Sequence, residues 1–131
     1  METAISRIAA GVGVVYVLVG LAGFVVTGAG NLTGHGSHLL VFQVNPLHNI
    51  AHLALGALLL VGASRGATAA RQAMVAVGLV FLLLGGIGPA IAGTPADLVA
   101  LNGADHLLHG VTAVVLILSG PVLGRRLQPA V

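Results

Sequence analysis

The sequence predicts an all-α fold: a four-helix transmembrane bundle built from two pseudo-symmetric helical hairpins. Three observations carry that reading. The 131 residues are 57% hydrophobic and only 6% charged, with a mean hydropathy of +1.09. A soluble domain carries about 25% charged residues, so eight charged side chains cannot clothe a surface facing water. Four apolar stretches are each of the length that a bilayer core requires of a helix, roughly 17–25 residues. All the arginines fall on one side of the topology that these stretches define. Helix is the economical choice for a spanning segment, because an open sheet leaves backbone groups unpaired in lipid. The length allows a single transmembrane domain, residues 1–131.

The first span, about 8–27, has Tyr16 as its one polar interruption. It is longer than the usual 7–15 apolar residues of a signal peptide, so it is expected to remain as a span. The second, 46–64, opens at Pro46 and stays uncharged to Ser64. The third, about 73–88, is expected to loosen or end at Gly85, Gly86, Gly88 and Pro89. The fourth is expected over 103–122, with Gly120 and Pro121 near its end.

Arg7 precedes span one, Arg65 and Arg71 bracket the loop between spans two and three, and Arg125 and Arg126 follow span four. The positive-inside rule assigns that side to the cytoplasm. A multi-pass protein of the plasma membrane is therefore expected, with cytoplasmic N- and C-termini. Asp97, Asp105 and all six histidines fall toward the outer face. The pI near 10.6 comes from five arginines against three acids, with no basic stripe to track phosphates, so nucleic acid is not an expected partner. The expected partners are the lipid bilayer and a second copy or a larger membrane complex. With no cysteine, disulfides, thiolate metal sites and covalent haem attachment are excluded.

Offsets of 57–58 residues align the two halves. Val19-Gly20-Leu21 matches Val77-Gly78-Leu79, and Val41-Phe42-Gln43-Val44-Asn45 matches Leu98-Val99-Ala100-Leu101-Asn102. Parallel repeats of this kind are related by a pseudo-two-fold axis along the membrane normal. Asn45 before Pro46 is a good helix start, since asparagine caps and proline at the first position loses no needed bond. Asn102 should cap span four likewise. His48 and Asp105 then occupy the third helical position, and His52 and His109 the seventh.

Residues four apart share a helix face, so His48 with His52 and Asp105 with His109 should converge between spans two and four. Polar side chains at that depth are costly in lipid and need partners inside the bundle. Three readings follow. In the first, these groups are packing glue, each contact worth roughly 0.6–2 kcal/mol. In the second, His48, His52, Asp105 and His109 hold a divalent transition metal, chemically zinc, copper or iron. In the third, His52 and His109 are axial ligands of non-covalent haem; few aromatics are available to wall a porphyrin. His106 should face a neighbour or the outer interface. His35 and His38, in the Gly-rich loop 28–37, should be solvated.

Catalysis is disfavoured. His48-Asn49-Ile50-Ala51-His52 has the spacing of a zinc-protease His-Glu-x-x-His helix, but Asn49 stands where the water-activating glutamate is needed. Glu2 lies on the cytoplasmic side. A pump is disfavoured too, since no acid occupies the inner half of any span. Gly13 with Gly20, and Gly78 with Gly85, are spaced to let helices approach closely.

The strings Phe42-Gln43-Val44-Asn45-Pro46-Leu47-His48-Asn49-Ile50-Ala51-His52-Leu53 and Leu101-Asn102-Gly103-Ala104-Asp105-His106-Leu107-Leu108-His109 resemble the signature of small four-helix bacterial membrane proteins grouped as domain of unknown function 4383. The resemblance covers essentially the whole chain. It implies a four-span integral membrane protein and adds no activity. At His106 the family is expected to carry asparagine more often.

Overall fold

The computed structural model describes the backbone of residues 4–125 and the side chains of residues 4–119; the expectations on Glu2 and Arg126 lie outside the described residues. Four helices form in chain order: α1 (Ala4–Thr27), α2 (Pro46–Ser64), α3 (Ala67–Ile91) and α4 (Gly103–Arg125). Two short strands, β1 (Ser37–Leu39) and β2 (Phe42–Val44), lie between α1 and α2. α1 packs chiefly along α2, and α3 chiefly along α4, with α2 against α3 joining the two antiparallel hairpins.

The helices α1, α2 and α3 are each long and apolar enough to cross a membrane, and the described side chains of α4 form a further apolar helix over Gly103–Ser119. The burial pattern is that of a protein bathed in hydrocarbon. Leu18, Val25, Leu83, Leu107 and Leu118 are exposed along the helices, whereas Asn45, His48, Asn49, His52, Asp105 and His109 are buried. Polar groups inside and leucines outside is the arrangement that lipid demands.

Two glycines explain how closely α1 and α2 pack within the first hairpin. A Cβ on Gly13 would stand 2.9 Å from the Gly56 carbonyl oxygen, and one on Gly56 would stand 2.8 Å from the Gly13 carbonyl oxygen. Each backbone therefore occupies the space that a side chain on the other would need. α2 and α3 are joined through Arg65 and Gly66, and Gly66 reverses the chain at φ +103°, a conformation open to glycine without steric cost.

Two elements differ from expectation. α3 begins at Ala67 and does not stop at its glycines: it runs through Pro89 to Ile91. The proline is exposed, and the helix has only two further residues after it. The proline ring opposes the carbonyl of Gly85 four residues earlier, at a glycine with no side chain to crowd it. The loop after α1 is also more ordered than a Gly-rich linker suggests, since β1 and β2 pair antiparallel with Leu39 opposite Phe42. Leu40 makes the tight turn at φ 56°, a left-handed value that usually selects glycine or asparagine.

Candidate metal centre

The centre is built from the starts of α2 and α4. The Asn45 side chain accepts the His48 backbone N–H at 2.8 Å, with Pro46 in the first turn, which starts α2 as expected. Asn102 and Asp105 cap α4 reciprocally. The Asp105 N–H donates to Asn102 Oδ1 at 3.1 Å, and the Asn102 N–H donates to Asp105 Oδ2 at 2.9 Å. This is the geometry of a capping box, with aspartate in the place usually held by glutamate.

The same two asparagines clasp the hairpins to each other. Asn45 Nδ2 donates to the Leu98 carbonyl at 2.9 Å and to Gly34 at 3.2 Å. Asn102 Nδ2 donates to the Val41 carbonyl at 2.9 Å. Donors and acceptors are thus exchanged between halves at the offset that aligned them in sequence.

One helical turn deeper, His48 and His52 from α2 meet His109 from α4. All three are buried, and one ring nitrogen from each lies within 4.8 Å of the others. His48 Nδ1 is 2.9 Å from the Val99 carbonyl. A carbonyl only accepts, so His48 carries its proton on Nδ1 and directs the Nε2 lone pair inward. That Nε2 lies 3.2 Å from His52 Nε2. Two nitrogens held at about 2.0–2.1 Å from one tetrahedral ion would stand about 3.3 Å apart.

The rest of the trio is short of partners. His52 Nδ1 and both ring nitrogens of His109 have no hydrogen-bond partner among the described residues. Each such buried group costs about 1–3 kcal/mol.

Aromatic rings wall the site. Phe81 stacks on His109 with centroids 4.9 Å apart. Tyr16 meets His52 edge-on at 5.1 Å and stacks on Phe81 at 4.8 Å. The Tyr16 hydroxyl is satisfied by Thr112 Oγ1 at 3.0 Å. Among the histidines is a cavity of about 20 Å³, whose other walls are Ala51, Leu55, Phe81, Leu84, Val99 and Leu101. It has room for a single ion or water.

Of the four residues expected as metal ligands, His48, His52 and His109 are brought together and Asp105 is not among them. Its carboxylate is spent on the α4 cap. Haem does not fit. Pockets for molecule-sized ligands run to about 300–1,000 Å³, and the space between His52 and His109 is a small fraction of that.

His106 turns toward its own hairpin, with its ring against Gly88 of α3. Asn49, its counterpart in the first half, likewise lies against Gly23 of α1 and donates to Thr27 Oγ1 at 2.9 Å. His35 and His38 are exposed. The residues that sequence reasoning passed over are Tyr16, Phe81 and Val99. The one tyrosine of the chain lies in an apolar span, where its hydroxyl must find a partner, and that signal pointed to the bundle interior.

Comparison with curated proteins and with solved structures gives no match. A family profile does match, over residues 7–122, and it spans all four helices and both asparagine-led segments. The chain belongs to the DUF4383 family, described as a domain of unknown function.

Proposed function

We propose that this chain is a small multi-pass protein of the plasma membrane that holds a transition-metal ion, zinc, copper or iron, between α2 and α4 through His48, His52 and His109. The observation that carries the reading is the His48 ring. Its Nδ1–H is fixed by the Val99 carbonyl, so its Nε2 faces His52 Nε2 at 3.2 Å, a separation that two nitrogens bound to one ion allow. Ligating histidines are oriented by such a bond on the far nitrogen. One cation accepts a lone pair from each of three buried rings that are otherwise joined by a single hydrogen bond, between His48 and His52.

The ion joins the two hairpins, since two ligands come from the first and one from the second. Its role in this reading is that of a clamp in an accessory or scaffold protein. The apolar walls of the cavity offer no acid or base to a reacting molecule. Arg7, Arg65 and Arg71 lie at the helix ends away from the histidines, which supports cytoplasmic termini and a metal centre near the outer face. The reciprocal Asn45 and Asn102 bonds support descent of the two hairpins from one repeated unit.

The test is elemental analysis and an absorption spectrum of the detergent-purified protein. About one transition-metal ion per chain without a Soret band is expected from a three-histidine site. A metal-free protein that folds normally overturns the reading in favour of a purely hydrogen-bonded network, and a Soret band overturns it in favour of haem.

A further inference from the structure

The surroundings of the three histidines constrain both the coordination number and the charge of the ion between them. Every other wall of the cavity is an apolar residue, and the Val99 carbonyl is engaged by His48 Nδ1. The Tyr16 hydroxyl is engaged with Thr112. A fourth ligand would have to be water, which needs two to four polar partners to be held in a cavity. Structural zinc is almost always four-coordinate. Three imidazoles in a dry pocket therefore suit an ion that is content with three ligands.

Charge points the same way. Neutral imidazoles contribute none, and an uncompensated charge is expensive in the bundle interior. The chain has three acidic residues in all. Glu2 lies outside the described residues. Asp97 is half-buried in the α3–α4 loop, where its carboxylate accepts the Gly93 and Leu101 backbone N–H groups. Asp105 is 1% exposed and shares the face of α4 that carries His109, one helical turn away. One buried carboxylate balances one positive charge. A divalent ion would leave an excess that no other buried carboxylate among the described residues offsets.

Resting on the three-histidine reading above, we infer that the centre is a trigonal site for monovalent copper, with His48, His52 and His109 as ligands and Asp105 as the balancing charge. Copper in this state is closed-shell and accepts imidazole nitrogen. Asp105 then serves twice: its carboxylate caps α4, and its charge stays beside the ion without touching it.

The inference is tested by competition on the detergent-purified protein, stripped with a chelator and offered equimolar copper(I) and zinc(II) under anaerobic, reducing conditions. One copper per chain and little zinc is expected. Asp105→Asn, which keeps an amide oxygen to accept the Asn102 N–H, is expected to weaken copper(I) about tenfold or more, since a charge is lost in a low-dielectric interior. Retention of zinc in preference to copper overturns this inference and leaves the three-histidine reading standing. Unchanged copper affinity in Asp105→Asn overturns the balancing role of the carboxylate. Retention of neither metal overturns the underlying reading itself.

Discussion

His109→Ala is expected to release the metal, lowering its affinity by well over the roughly 10–100-fold typical of removing a group that merely supports a ligand. His109 is the one residue that α4 contributes to the three-histidine cluster. Without it, His48 and His52 remain as a pair on one helix, and the ion no longer bridges the hairpins. The loss has a second signature. A ligand that binds only the folded state stabilises it by about 2.7 kcal/mol at one hundred times its dissociation constant. Added metal should therefore raise the melting temperature of the wild-type protein in detergent and leave that of His109→Ala unmoved. His38→Ala is the matched control, because His38 is exposed on β1 and should leave metal content unchanged. Equal metal content in the wild type and His109→Ala would remove α4 from the site.

The second large effect concerns the asparagines. Asn45→Ala is expected to destabilise the bundle by about 2–4 kcal/mol, from loss of a helix cap and of two further bonds to buried or partly buried carbonyls. The side chain is 1% exposed, caps His48, and reaches both Gly34 in its own loop and Leu98 in the other hairpin. Asn102→Ala removes a cap and a single exposed bond to Val41, so its cost should be about 1–2 kcal/mol. Thermal melts or denaturant titrations in detergent check the order. If Asn102→Ala were the more damaging of the two, the clasp at Leu98 would not be the main link between the hairpins.

Most of the architecture was legible because lipid leaves few choices. Hydropathy located the helices, and Asn45-Pro46 and Asn102 set the starts of α2 and α4 to the residue, because a cap and a fixed proline φ act locally. The i,i+4 pairing of His48 with His52 needed only helix geometry. What sequence could not supply was anything set by tertiary packing. Asp105 shares a face with His109, but its carboxylate is one bond from satisfying its own helix start, and that nearer partner takes it. His106 is turned to α3 by the space above Gly88, which no single-helix argument reveals. The continuation of α3 past Pro89 and the β1–β2 pairing likewise depend on neighbours. Tyr16 and Phe81 come from α1 and α3, so their place around the imidazoles follows only once four helices are assembled.

The central claim is that imidazoles from α2 and α4 share one ion. X-ray absorption spectroscopy of the metal-loaded protein examines it most directly, by reading the atoms bound to the metal. The expected signal is a shell of three nitrogens with the outer scattering of imidazole, at about 2.0–2.1 Å for zinc and similar for its neighbours, and its collapse in His109→Ala. A shell dominated by oxygen, or an imidazole count that does not change when His109 is removed, would contradict it.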